Sequence, residues 1–201
     1  MAIQTVSAIP GWMEKLDPYD ERPYTEVFDG RCERKPVSPV FWHGQIQGRV
    51  GVTLSAWAKG RGRAGSEVRF FFLHSEDAPP SSLLPDQAYV SYERLPIDAP
   101  EPVVNKPRVA PALAIEIRSS NERRARINRK VELYLRYGTA VVLVIEPLKN
   151  RWEIHRPTRA VEAGELRGSI LVPPFEGLIF DWDAILEGVV VPRRSAPKRG
   201  R

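Results

Sequence analysis

The chain carries one cysteine, Cys32, in 201 residues. A single thiol closes no intramolecular disulfide, and a cysteine-based zinc site is excluded with it. Long apolar runs are missing too. The longest, Val141 to Ile145, falls far short of the roughly 20 residues of a membrane-spanning helix. The N-terminus lacks the charged-then-apolar pattern of a secretory leader. No internal repeat and no second domain are visible. Together these absences describe a soluble, reduced, cytoplasmic protein whose length suits one domain with a core of its own.

What is in excess is positive charge, +5 formally with a pI near 9.5. That balance suits a polyanionic partner but is a weak signal. Part of it sits in Arg193, Arg194, Lys198, Arg199 and Arg201. Residues 192–201 therefore read as a disordered basic tail, with or without a partner. Residues 1–23 show no period and read as an irregular lead-in, which leaves 24–191 for the domain.

The stretch PALAIEIRSSNERRARINRKVELYLRY, Pro111 to Tyr137, organises that domain. Ala112 to Arg118 alternates as a strand. Leu113, Ile115 and Ile117 face one way; Ala112, Ala114, Glu116 and Arg118 face the other. A buried carboxylate is costly unless paired or bound to a cation, so Glu116 needs a partner. Ser119 with Glu122 fits a capping box, and Ser120 and Asn121 are alternative caps. In the helix that follows, Ile127, Val131, Tyr134 and Leu135 form an apolar stripe, widened by Leu133 and Tyr137. Lys130 falls inside this stripe. It either snorkels or aims at an acid on the sheet beneath, where Glu116 lies. Arg129, Glu132 and Arg136 fall toward water.

Around this centre, Tyr24 to Lys35 reads as a hairpin turned at Asp29-Gly30, with Glu26 and Glu33 as surface charge. Phe41 to Lys59 has a helical period through Ile46, Val50, Leu54 and Trp57. Gly44, Gly48 and Gly51 weaken that helix, or let it approach a sheet closely. His43, near its start, is either a core histidine or a site residue. Gly60 to Gly65 reads as a loop, Ser66 to Leu73 as a strand and Ser75 to Leu83 as a Pro/Ser loop. Leu84 to Ser91 is a further strand, with Asp86 on the face of Ala88 and Val90. Tyr92 to Pro111 is a proline-rich loop or flap. Ala140 to Glu146 is a strand buried on both faces, and Arg151 to His155 is its partner.

Asp86, then Glu116 some thirty residues on, then a basic side chain make a chemical set. Two carboxylates from neighbouring strands can hold a hard divalent cation such as Mg²⁺, with Mn²⁺ as a substitute. Such an ion activates water and polarises a phosphate. A nearby lysine can orient that water or stabilise developing charge. By spacing alone, the same residues could also form an ordinary ion pair or a strand-end surface acid.

The ordered segments YTEVFDGRCE, His43, GSEVRFFF, LLPDQAYVS and PALAIEIRSSNERRARINRKVELYLRYGTAVVLVIEP with RWEIHRP resemble the Uma-two family of restriction endonuclease-like proteins. That family is part of the PD-(D/E)xK nuclease superfamily, and the similarity runs from about Tyr24 to Pro157. It implies an α/β (α+β) fold: a mixed β-sheet core flanked by helices, with an N-terminal β-hairpin. By resemblance, Asp86 matches the aspartate of the PD motif and Glu116 the second acid. The superfamily often has lysine two residues after that acid; here Arg118 stands there, which cannot serve as a base. The family places its lysine in the following helix, where Lys130 matches it. Glu67 and His43 match further site positions. The implied activity is a Mg²⁺-dependent endonuclease acting on DNA. Asp86, Glu116, the Ile117 carbonyl and Glu67 would hold the metal, with Lys130 and His43 assisting. Apart from the resemblance, Arg123, Arg124, Arg126 and Arg129 make either a solvated helix face or a phosphate-gripping ridge, in which Arg118, Arg123, Arg124 and Arg126 are the candidate nucleic-acid contacts; a homodimer would allow double-strand cleavage. The rival reading is a non-catalytic nucleic-acid-binding or interaction protein on the same frame.

Overall fold

A computed structural model describes residues 25–36, 38, 40–72 and 79–192; the lead-in and all of the basic tail beyond Pro192 lie outside these. The N-terminal hairpin pairs β1 (Thr25–Phe28) with β2 (Arg31–Arg34). Its turn residues Asp29 and Gly30 both have positive φ, 46° and 79°, which is the backbone a two-residue primed turn demands. The hairpin belongs to a four-stranded sheet ordered β2-β1-β5-β4, where β4 is Phe70–Phe72 and β5 is Ser81–Leu83.

The central sheet has six strands in the order β10-β9-β8-β7-β6-β3. They are β3 (Gly62–Gly65), β6 (Gln87–Ser91), β7 (Leu113–Ile117), β8 (Val141–Glu146), β9 (Arg151–His155) and β10 (Glu162–Glu165). β7 and β8 run parallel and the other neighbours antiparallel. This is the mixed sheet that the resemblance implies. A short pair, β11 (Ser169–Leu171) and β12 (Ile179–Asp181), closes the chain before the last helix.

Helix α1 (Phe41–Ala58) buries Ile46, Val50 and Leu54 against Tyr89, Leu113, Ile115 and Leu143 on one face of the central sheet. The short α2 (Glu101–Asn105) lies in the proline-rich segment. The crossover helix α3 (Arg124–Arg136) covers the opposite face: Ile127, Val131 and Tyr134 pack on Ala88, Val90, Ala114, Val142 and Val144. Each fully buried aliphatic side chain there contributes about 1.5–3 kcal/mol. The same cluster takes in Phe28, Phe70, Phe72 and Leu83, so α3 lies against both sheets. The guanidiniums of Arg126 and Arg129 sit 4.7 and 4.3 Å from the Phe28 ring centre. Gly138, at φ 92°, ends the helix in the left-handed conformation that glycine adopts without strain. Helix α4 (Trp182–Leu186) packs near α1 and is capped by Asp181, whose carboxylate accepts from the amides of Asp183 and Ala184.

Several local expectations change. The segment 60–65 is not a loop: Gly62–Gly65 pairs with β6 as an edge strand. Of the strand expected over 66–73, the described part keeps Phe70–Phe72, and on its N-terminal side Glu67 takes a left-handed φ of 53°, which ends an extended run; Leu73 lies outside the described residues. Part of the Pro/Ser segment is a strand, β5. The capping box does not form. Helix α3 starts at Arg124 behind Arg123, with no side-chain cap. Residues Ser119 to Glu122 instead make a turn, with the Glu122 amide donating to the Ser119 carbonyl at 3.3 Å.

The glycines test this packing. A Cβ on Gly62 would stand 2.2 Å from the Val90 carbonyl oxygen and 2.8 Å from Ser91 Cα, whereas one on Gly48 meets nothing within 4 Å. Gly62→Ala should therefore cost about 1–3 kcal/mol, while Gly48→Ala should gain about 0.5–1 kcal/mol. Urea unfolding midpoints of the two variants check the pair.

Candidate active site

The site forms where β6 begins and β7 ends. Ala88 pairs with Ala114 and Gln87 with Ile115. Asp86 and Glu116 lie two residues beyond that alanine pair, so by the strand period both share its face of the sheet. Both are buried. The Ile117 amide donates to Asp86 Oδ2 at 2.6 Å. His43, at the start of α1, donates from Nε2 to the Ile117 carbonyl at 2.9 Å. A carbonyl only accepts, so that nitrogen carries the proton. Its distance to Asp86 Oδ2 is 3.8 Å.

Lys130 settles the alternative that the sequence left open. Its side chain has no exposure, and it does not snorkel. The ammonium donates to Glu116 Oε2 at 2.5 Å and lies 2.9 Å from Glu26 Oε1. Tyr134, one helical turn on, donates its hydroxyl to Glu116 Oε1 at 2.8 Å.

Glu26 is therefore not surface charge. It is fully buried, faces Lys130, accepts the Leu84 amide at 3.1 Å and pairs with Arg126 at 2.6 Å. It shares strand parity with Phe28, and an acid on a strand's apolar face was the available signal. The sequence reading also passed over Lys35. Its ammonium lies 3.1 Å from Asp86 Oδ1 and 3.4 Å from Glu67 Oε1; no motif or period marks this lysine. Glu122 turns inward rather than back to a helix cap, 3.6 Å from Arg126 Nε.

A cleft of about 70 Å³ opens on this cluster, lined by Lys35, His43, Gln47, Glu67, Asp86, Ile117, Ser119 and Glu122. The Ser119 hydroxyl is buried and finds no hydrogen-bond partner among the described residues. Glu116 does not line the cleft; it stands behind, against Lys130.

Six carboxyl groups, Glu26, Glu33, Glu67, Asp86, Glu116 and Glu122, face the cations Lys35, Lys130, Arg126 and Arg129. Acid is in excess, and the proton affinities follow. Burial, then the charges of Asp86 and Glu26, push the Glu116 carboxyl up to about 8 against the pull of Lys130. Burial likewise raises Glu122, helped by Glu26 and Asp86. Burial opposes the charge on Asp86, but Lys35, Lys130, His43 and the Ile117 amide hold its carboxyl below the usual range. Glu26 is held down against burial by Lys130, Lys35 and Arg126. Burial also works against the Lys130 charge, yet Glu116 and Glu26 raise its proton affinity above that of a free lysine.

A metal must fit this donor set. Among the described residues no group of three or more His, Cys, Asp or Glu side chains is arranged to hold an ion. Asp86, Glu67 and Ile117 bring oxygen to the cleft with Glu116 just behind them, and a hard cation that keeps several waters needs few protein ligands. The surplus of negative charge suits such an ion, so the residues fit.

The proposed arginine ridge divides. Arg126 has 12% side-chain exposure and faces Glu26 and Glu33, so it turns inward. Arg118 pairs with Glu146 at 2.7 Å. Arg124 bridges Glu146, at 3.0 Å, and Glu153. Arg123 is exposed.

No helix among the described residues is long and apolar enough to cross a membrane. A search of curated proteins returns no match. Among solved structures, the chain is similar to a crystal structure of a putative nuclease belonging to DUF820 from Anabaena variabilis ATCC 29413. The two share 24% identity over 85% of this chain and 94% of that one, with a TM-score of 0.73; the likeness is one of fold. The Uma2 family, described as "Putative restriction endonuclease", matches residues 13–183. By that match, laid over a mixed sheet with a nuclease-like neighbour, the chain belongs to the Uma2 family.

Proposed function

We propose that the protein is a metal-dependent endonuclease that hydrolyses phosphodiester bonds in DNA. The observation that carries this reading is the excess of buried acid around the buried ammoniums of Lys130 and Lys35 where β6 and β7 meet. A core has no structural need for that arrangement: an ion pair replaced by apolar groups of similar volume is often neutral or stabilising.

Asp86, Glu116 and the Ile117 carbonyl would hold Mg²⁺ or Mn²⁺, with Glu67 as a further contact. Such an ion, when bound, polarises a phosphate oxygen and makes a water more acidic. Lys130 keeps its proton firmly, so it acts as a donor. From behind the cleft, between Glu116 and Glu26, it would hold the Glu116 carboxyl in place and add positive charge near the phosphate as charge develops in a site shielded from solvent. His43 has committed its Nε2 proton to the Ile117 carbonyl, so it fixes that oxygen. The unpartnered Ser119 hydroxyl in the cleft is free to donate to a phosphate. Exposed Arg123 and half-exposed Arg124 and Arg118 would meet the backbone on either side, which makes binding salt-dependent. Cutting both strands needs two sites, as a homodimer would supply.

Plasmid nicking with Mg²⁺ or Mn²⁺ tests this directly. Activity should appear with the ion and vanish with chelator. Lys130→Ala should lower it by about 10²-fold or more, and Glu116→Gln should do likewise with the folded circular-dichroism spectrum retained. Full activity in Lys130→Ala removes this assignment. Chelated protein that still binds DNA unchanged after Asp86→Ala, together with no cutting by wild type, favours the binding-protein reading.

A second test follows the proton on Glu116. Its folded carboxyl titrates near 8 rather than at the ordinary 4.5. The unfolded chain gives up that proton first, so this group's stabilisation is complete below about 4.5 and is lost as pH rises to about 8. In chelated protein the melting temperature should fall over that window, and Glu116→Gln should flatten this part of the slope. An unchanged slope in the variant would show that Glu116 holds no such proton.

A further inference from the structure

We propose that Lys35 is the resident counter-cation of the cleft: its ammonium occupies the cation seat between Asp86 and Glu67, and a divalent ion binds by displacing it. The inference rests on the metal-dependent reading above and adds a positioning residue to it.

Three observations point this way. Asp86 Oδ2 is taken by the Ile117 amide at 2.6 Å, so the oxygen left for a cation is Oδ1, and there Lys35 stands at 3.1 Å. The second contact, Glu67 Oε1 at 3.4 Å, comes from a residue held at φ 53°. A non-glycine residue in that region is uncommon, and such conformations gather at ligand sites. Lys35 also lines the cleft, whereas Lys130 does not. The two lysines therefore differ in kind: Lys130 is locked between Glu26 and Glu116, and Lys35 borders open space.

A magnesium-sized ion sits about 2.0–2.1 Å from a carboxylate oxygen. Placed on Oδ1, it would crowd an ammonium on the same atom, and like charges at that range repel strongly in a partly buried site. Lysine carries its charge on a flexible four-carbon stem, so the ammonium can leave Asp86 while its backbone stays. Displaced, it remains at the cleft wall, where a phosphate would meet it. Without an ion, it neutralises Asp86 and spares the fold a buried unpaired carboxylate.

Calorimetric titration of MnCl₂ into the full chain and its Lys35→Met variant tests the proposal. Removing the competitor should tighten Mn²⁺ binding by at least about tenfold. Equal or weaker binding by the variant, with wild type still binding, overturns the role of Lys35 alone. Binding by neither protein overturns the metal-dependent reading and this inference with it. Brief acetic anhydride labelling of wild type, read by peptide mass spectrometry, gives an answer that needs no variant. Lys35 should be protected in chelator and become several-fold more reactive with Mn²⁺, while Lys130 stays protected. Labelling of Lys35 that is unchanged or reduced by Mn²⁺ overturns the proposal.

Discussion

One ammonium holds the two sheets of this protein to a common point. Lys130 rises from the crossover helix, fully buried, and reaches Glu116 on the central sheet and Glu26 on the hairpin sheet. A hairpin strand far back in the sequence, a central strand and the helix that follows it thus share a single charge. Removing one partner from such a cluster leaves an uncompensated buried charge and costs about 3–5 kcal/mol. The geometry around it follows. Tyr134 satisfies the second oxygen of Glu116, Arg126 satisfies the second oxygen of Glu26, and both come from the same helix one turn to either side of Lys130.

The cluster is still short of positive charge, and that shortage links fold to chemistry. Protonation of Glu116 and the approach of Lys35 to Asp86 are two ways in which the ion-free protein neutralises the surplus. A divalent cation is a third. The small residues Ala88 and Ala114 on this face leave room for α3 to lie close to the sheet. The acids lie just beyond them, at the strand ends, where the cleft opens. The core thus ends and the site begins within two residues on each strand.

Much of this was legible in the sequence, and the reasons are local. Strand parity put Glu116 apart from Leu113, Ile115 and Ile117, and Asp86 with Ala88 and Val90. The helical period put Lys130 among core residues, which forced the question of its partner. The hairpin was legible from Asp29-Gly30. What failed depended on distant parts of the chain. Glu26 shares a face with Phe28, but which face of so short a strand is covered depends on the four-stranded sheet folding over α3. Ser119 and Glu122 have the spacing of a capping box, yet Glu122 is drawn to Arg126 and the site. Gly62–Gly65 looks like a loop in isolation and becomes a strand because β6 presents a free edge there. Of the close approach suggested for the glycines of α1, Gly51 shows it, with Gln87 only 2.7 Å from where a Cβ would stand, while Gly44 and Gly48 face open space.

The most direct measurement is a crystal structure with Mn²⁺, located by its anomalous scattering. The account predicts a peak on Asp86 in the cleft, beside Glu67 and the Ile117 carbonyl and in front of Glu116, with the Lys130 ammonium still inside the cluster. A peak elsewhere on the molecule, or no peak at a manganese concentration that supports cutting, would contradict it.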